Sequence, residues 1–400
     1  LIFLYNQKDF SEVIKKTKIL IQEHRDSEQL FSIMGITLLS LKEYGKALNY
    51  FKKGININPN NSNSYFNIGL AYYNLLDLKN AIIFYKKALK IDSKHFDTLF
   101  NLAIIYKENK NAKQAINYYQ KALKINNDHV FTHYNLGNIY YEKMDFFPAI
   151  KHFKSAIRID PNFPDTYYNL AATFERIKDF SNSLKYFKLS FQQNPQEIKS
   201  LTKIRLLSKK LRKNDEAIRY FKNLLNQFPN STDIIYNLAT TFKSNGELVK
   251  AKFYFNKLLK IDNKNIKSYV LLGGVLCDTH SLNQGIKLFK KAIVLDEKDD
   301  TAHSFLLFYS NYCPHHTSEE IFTYYQQFDN KFGLPLRKEW QPFTPIKKPK
   351  KKLKIGYVSP DFKKHVCNRH LSPIFSNHDH KHFEIYAFAE LSKEDHVTKQ

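Results

Sequence analysis

Cysteine is nearly absent: Cys277, Cys313 and Cys367 are too few and too scattered for a disulfide framework or a zinc site, so a reducing compartment is expected. No apolar run approaches the roughly 20 residues a membrane helix needs, and residues 1–5 are too short for a secretory core. A cytoplasmic location, with no membrane partner, follows as the expectation. Glycine is scarce at 11 residues, which argues against a loop-rich or low-complexity chain. Acidic residues are outnumbered 62 to 38 by Lys and Arg, giving a formal net charge of +24. Such an excess raises nucleic acid or an anionic surface as partners. The lysines, however, recur at equivalent places, as in Lys52 and Lys53, Lys86 and Lys87, Lys290 and Lys291, which describes a solvated outer helix face, and nucleic acid is not an expected partner. What is abundant is apolar: 43% hydrophobic and 15% aromatic residues, mostly Phe and Tyr, a mixture that folds. Four hundred residues exceed one ordinary core, so several domains or a repeat stack are required.

The chain repeats itself every 34 residues, from Glu28, Ser62, Phe96, Val130, Pro164, Ile198, Thr232 and Ile266, without insertion. One partial unit (1–27) and eight complete ones (28–299) result. Small residues stand eighth in the unit (Gly35, Gly69, Ala103, Gly137, Ala171, Ala239, Gly273) and twentieth (Ala47 to Gly285). They let two helices touch. Large ones stand eleventh (Tyr72, Tyr106, Tyr140, Phe174) and twenty-fourth (Phe51, Tyr85, Tyr119, Phe153, Phe187, Phe221), filling the space around that contact. Pro59, Pro161, Pro195 and Pro229, all thirty-second, would stop the second helix. Arg205 occupies the small position of the sixth unit, where a local defect or a change of twist is expected. This pattern resembles the tetratricopeptide repeat family over about three quarters of the chain. The resemblance implies a right-handed superhelix whose first helices line a concave groove, with each hairpin relying on its neighbours for a core.

Asn67, Asn101, Asn135, Asn169 and Asn237 all stand sixth in their units. Asparagine is a mediocre helix former, and a merely wet position would drift toward Lys, Glu or Gln. Each carboxamide donates and accepts at once, so a row of them matches the backbone of an extended acceptor peptide. The same residues would alternatively satisfy hydrogen bonds between repeats, or reflect an Asn-rich composition.

From Thr301 the period dissolves, although helical patterning continues, with Thr317 and Glu320 in capping-box spacing before a helix near Ile321–Phe328. Residues 300–352 thus read as transitional helices and a linker carrying Pro335, Pro342, Pro345 and Pro349 with five lysines between 347 and 352, a solvated hinge more than a targeting or anion-binding patch. Residues 353–359 and 383–389 read as buried strands, with a short helix near 371–375 between them. This outlines a βαβ unit, and the ligand crevice of such a sheet lies beyond the carboxyl ends of the strands, where Asp361, Phe362 and His365 fall. His378, His380 and His382 read as a partly exposed turn, since no thiolate or carboxylate set completes a coordination sphere.

The stretch IGYVSPDFKKH, with the HFEIYAFA that follows, resembles the opening of the catalytic domain of the O-GlcNAc transferase family, and SFLLFYSNY (304–312) looks like the junction in its bacterial members. The resemblance implies a mostly α chain: a repeat superhelix followed by the first part of a Rossmann-like (GT-B type) glycosyltransferase domain from residue 353. It implies transfer of N-acetylglucosamine from UDP-GlcNAc to Ser or Thr of protein acceptors with inversion, with no obligatory metal or other cofactor, and a family asparagine ladder that contacts acceptor polypeptides. His365 maps onto the family histidine near donor and acceptor, and Asp361 and Phe362, by their place at the crevice, are expected at the donor-site rim. An imidazole suits proton relay at neutral pH, although a loop histidine capping a strand is the plainer reading. Lys364 stands where the family commonly has Asn, which puts the loop geometry in doubt. SPINDLY-like relatives transfer fucose instead, and a non-catalytic peptide-binding scaffold is the alternative of another class. The chain starts without Met and stops soon after the second strand, so both ends are expected to be cut, the donor half to follow Gln400, and this piece alone to be inactive.

Overall fold

The computed structural model describes residues 1–339, 352–359 and 368–389. The chain divides into two compact units, Leu1–Tyr325 and Gln326–Gln400. In the first, α1 (Ile2–Asn6) and α2 (Phe10–Glu23) precede eight helical hairpins. The first four pair α3 (Glu28–Ser40) with α4 (Tyr44–Ile57), α5 (Ser62–Asn74) with α6 (Leu78–Ile91), α7 (Phe96–Glu108) with α8 (Ala112–Ile125), and α9 (Val130–Glu142) with α10 (Phe146–Ile159). The last four pair α11 (Thr166–Arg176) with α12 (Phe180–Gln193), α13 (Ile198–Lys210) with α14 (Asn214–Gln227), α15 (Thr232–Ser244) with α16 (Leu248–Ile261), and α17 (Ile266–Asp278) with α18 (Leu282–Leu295). Seven of the eight first helices open where the period predicts; the fifth opens two residues late, after a turn that holds Pro161 and Pro164 and puts Asp165 at φ 58°.

Position eight explains the pairing. A Cβ on Gly35, Gly69, Gly137 or Gly273 would come within 2.4–2.6 Å of the ring of Phe51, Tyr85, Phe153 or Phe289. The missing side chain is therefore the seat of the aromatic at position twenty-four, which is fully buried in each case. Arg205 removes that seat in the sixth hairpin. There α13 and α14 pack less closely than the helices of any other hairpin, and α13 reaches past its partner to α15. The expected defect is present.

Two turn devices keep the period, and neither is a proline. Second helices end at Ile57, Ile159, Gln193 and Gln227, two residues before their prolines, yet those without a proline end in the same register, at Ile91, Ile125, Ile261 and Leu295. Seven of the eight share an Asn or Asp at position thirty-one, whose side-chain oxygen accepts the backbone N–H two residues on: Asn58, Asp92, Asn126, Asp160, Asn194, Asp262 and Asp296; the sixth hairpin has Phe228 there. Between the helices of each hairpin, position fifteen is left-handed: Lys42, Leu76, Lys110, Met144, Lys178, Arg212 and His280 at φ 56–64°, and Gly246 at φ 80°.

Beyond the eighth hairpin, α19 (Asp300–Ser310) opens 34 residues after α17 and packs on α18, with Phe305 and Tyr309 against the ring of Phe289. Repeat geometry thus outlasts the sequence period by one helix. Next, α20 (Ser318–Phe328) opens on a reciprocal capping box: Thr317 N donates to Glu320 Oε2 (3.0 Å) and Glu320 N to Thr317 Oγ1 (3.2 Å).

The second unit contains a π-helical turn (Asp329–Gly333), α21 (Leu334–Arg337), β1 (Leu353–Ser359), α22 (Asn368–Ser376) and β2 (Phe383–Ala389). The strands pair in parallel, from Leu353 opposite Phe383 to Ser359 opposite Ala389. Both strands fall at the expected residues, but they are not buried as expected: β1 runs exposed to half-buried, with Leu353 67% and Val358 79% exposed, and Phe388 of β2 is 56% exposed. Parallel pairing follows from the helix between them, because a tight turn joins only antiparallel strands.

Candidate functional site

Successive first helices lie side by side, and polar side chains bind one to the next along the row. Tyr5 OH meets Ser40 Oγ (2.8 Å) and Tyr73 OH donates to Glu108 Oε1 (2.9 Å). Lys107 Nζ donates to Asn135 Oδ1 (2.8 Å), and Asn169 Nδ2 to both Tyr134 OH (3.2 Å) and Asn138 Oδ1 (3.0 Å). At the sixth hairpin, where position six is Lys203 instead of Asn, its ammonium reaches Glu175 of α11 (2.8 Å).

The five asparagines fall on this row and differ in what they have left to offer. Asn67 is half-buried, and its side chain makes no hydrogen bond among the described residues. Asn101 donates to Asp97 O of its own helix (2.8 Å), leaving its oxygen free of the described residues. Asn135 keeps its amide nitrogen and Asn169 its oxygen, the other end of each being used between repeats. Asn237 is spent: it is 2% exposed, donates to Asp233 O (2.9 Å) and accepts from Arg205 Nε (3.1 Å), so the large residue that spreads the sixth hairpin is anchored on the ladder. Interleaved at position five are Phe66, Phe100, Tyr134, Tyr168 and Tyr236, all half-buried, so the row presents rings beside amides. Position five escaped the sequence analysis, although its 34-residue spacing was there to be read.

Lys243, in the last turn of α15, belongs to the same row. Its Nζ lies 3.1 Å from where a Cβ on Gly274 of α17 would stand, and desolvation pulls its pKa down, with Asp278 and Cys277 opposing.

In the second unit, Tyr357 of β1 holds α22 and the following turn, its ring 5.0 Å from that of Phe375 and its hydroxyl 2.7 Å from His378 Nε2. His382 Nδ1 pairs with Asp379 in the same exposed turn. The carboxyl ends of both strands lie side by side, at Ser359 and Ala389. Asp361, Phe362 and His365 lie outside the described residues.

Tetratricopeptide repeat models match residues 62–128 and 210–273, and a TPR repeat model matches 35–75 and 148–177. With the observed 34-residue helix spacing, they identify the hairpin array as tetratricopeptide repeats forming a superhelix. No curated protein matches the chain. Among solved structures it is similar to YrrB, described as a TPR protein with an unusual peptide-binding site, at 19% identity and TM-score 0.42 over 46% of this chain and 96% of that one. It is similar to the C-terminal part of a TPR repeat-containing protein from Cytophaga hutchinsonii, at 18% identity and TM-score 0.48 over 66% and 95%. It is also similar to a variant O-GlcNAc transferase from Thermobaculum terrenum, at 22% identity and TM-score 0.41, over 50% of this chain and 39% of that one. No helix among the described residues is long and apolar enough to cross a membrane.

Proposed function

We propose that this chain is the acceptor-presenting part of an inverting protein O-glycosyltransferase, in which the row of first helices grips an extended polypeptide and the unit opening at Leu353 begins the sugar-nucleotide domain. The observation that supports this reading most is the parallel pairing of β1 and β2 across α22. Ligands of such sheets bind beyond the carboxyl ends of the strands, and Asp361, Phe362 and His365 follow β1 within six residues of Ser359. The hydroxyl of an acceptor Ser or Thr attacks the anomeric carbon of UDP-GlcNAc, its proton passes to the imidazole of His365, and the bond to UDP breaks; no metal or further cofactor takes part. Asn67, Asn101, Asn135 and Asn169 bind acceptor backbone through the amide groups not used between repeats, and Asn237 closes the ladder by holding Arg205. A non-catalytic peptide-binding scaffold is the second reading, favoured by the fact that the family-model matches all lie within residues 35–273.

The test uses the protein expressed from its whole gene, with radiolabelled UDP-GlcNAc and a lysate as acceptor. His365→Ala is expected to lower transfer at least a hundredfold without unfolding, and the combined Asn101→Ala, Asn135→Ala, Asn169→Ala variant to weaken capture of unrelated acceptors with helicity retained. Label from GDP-fucose alone would move the reading to the SPINDLY-like reaction. Label from neither nucleotide would leave the scaffold.

A further inference from the structure

Between the first and second helices of five hairpins, one contact recurs. The ring at position eleven stacks on the ring at position twenty-three: Tyr72 on Phe84, Tyr106 on Tyr118, Tyr140 on His152, Phe174 on Tyr186 and Phe242 on Tyr254, with centroids 5.4–5.6 Å apart and planes within 25°. In the eighth hairpin both rings are missing. Leu276 and Leu288 take their places, and a cleft of about 740 Å³ opens between α16, α17 and α18.

Its floor is apolar, made by Leu259, Leu272, Leu276 and Leu288 with the ring of Tyr269. Its rim is cationic: Lys252 and Lys260 stand two turns apart on α16, Lys287 faces them from α18, and the lining contains no carboxylate. A further ammonium, Lys291 Nζ, lies 4.6 Å from the centre of the Tyr269 ring. Apolar surface continues outside the cleft along α16, where Val249 is 81% and Phe253 63% exposed. Large exposed apolar side chains beside an apolar cleft mark an interaction surface.

We propose that this cleft docks an acidic segment of a partner protein, which inserts an aromatic side chain into the space vacated by the two rings and sets its carboxylates against Lys252, Lys260 and Lys287. Shape and charge select that occupant together. The cavity replaces a pair of stacked rings, so a ring restores the contact that five other hairpins make internally, and the surrounding ammonium groups are complementary to negative flanks. A buried aromatic anchor within a charged rim is also how a few residues dominate an interface. None of the ladder asparagines lines the cleft, so it does not depend on the acceptor-binding proposal.

The experiment measures anisotropy of a fluorescein-labelled peptide, a central tryptophan flanked by glutamates, with the 400-residue chain. The decisive variant is Leu276→Tyr with Leu288→Tyr, which rebuilds the stacked pair found in other hairpins and so keeps the fold; circular dichroism and a melting curve check this. Binding is expected to fall at least about tenfold in the refilled protein, and by a similar factor in the Lys252→Gln, Lys260→Gln, Lys287→Gln variant. Peptides with alanine for tryptophan, or glutamine for glutamate, are expected to bind about tenfold more weakly. Failure of the wild-type chain to bind the peptide, or equal binding by the refilled protein, overturns the proposal. Tighter binding of laurate, blocked by the same refilling, would assign the cleft to an acyl anion and overturn it equally.

Discussion

The third and sixth hairpins have the same length and the same left-handed turn between their helices, at Lys110 and Arg212, and differ in how those helices meet. In the third, Ala103 leaves room for the fully buried ring of Tyr119, and α7 and α8 close along their length. In the sixth, Arg205 stands in that place, the two helices spread, and the guanidinium, its pKa lowered by burial, bonds Asn237 of the next first helix. Period and closeness are therefore set by different residues. The left-handed turn at position fifteen and, in seven hairpins, the latch at position thirty-one mark where helices start and stop, and one side chain at position eight decides whether they touch.

Ala103→Arg would carry the sixth hairpin's exception into the third and break the contrast most severely. Forcing that bulk against Tyr119 is expected to cost about 3 kcal/mol, read by chemical denaturation, with amide exchange rising first in α7 and α8. A loss below about 0.5 kcal/mol would show that position eight does not control closeness.

The fourth hairpin adds a pH-dependent term from a histidine pair that bridges its two helices. His133 Nε2–H donates to Asn127 O (2.9 Å), so the bare Nδ1 of His133 accepts from His152 Nδ1–H (3.0 Å). Burial lowers both pKa values, that of His152 to about 4, with nearby Lys151 and Arg158 adding to the effect and Asp128 opposing it at His133. A depressed histidine pKa means that the unfolded chain takes up protons first as pH falls. Stability is complete above about 6.5 and is lost as pH drops toward about 4. Amide exchange in α9 and α10 should accelerate over that window, and His152→Tyr, the residue at the same position in the third and fifth hairpins, should flatten the response.

Tyr119 itself carries a cost, since its buried hydroxyl, like that of Tyr85, has no hydrogen-bond partner among the described residues where the other six hairpins place Phe. Tyr119→Phe is expected to raise stability by about 1 kcal/mol in the same denaturation assay. The smallest effect belongs to the turns. Leu76, 85% exposed at φ 61°, holds a conformation that glycine adopts freely, and Leu76→Gly should gain about 0.5 kcal/mol net of glycine's greater chain entropy. Destabilisation there would mean that the left-handed turn is held by contacts of the leucine side chain.

Helix starts were legible because small and large residues recur at fixed spacing, and both strands because each is a compact apolar run with turn residues beside it. The capping box of Thr317 and Glu320 was legible for the same local reason. The left-handed turns were not, because Lys, Leu, Met and Arg do not announce positive φ; only Gly246 does. The abundant asparagine was read as a ladder, as hydrogen bonding between repeats or as composition, while Asn58, Asn126 and Asn194 serve as turn residues, a role visible only when Asn and Asp are aligned together at position thirty-one. Within the ladder, the use of Asn135, Asn169 and Asn237 between repeats depends on neighbours in adjacent helices, which residue type alone does not reveal. The lysine-rimmed cleft depends on two leucines being absent rings at once, a property of a pair.

Because position fifteen is left-handed in all eight hairpins and seven of them carry the same kind of side-chain latch at position thirty-one, at an interval of 34, the array can change length only in whole quanta. Excising one interval would splice like to like and leave the next core intact. Excising one residue fewer would turn every later first helix by about 100° about its axis, sending seated rings into water and lysines into the interior.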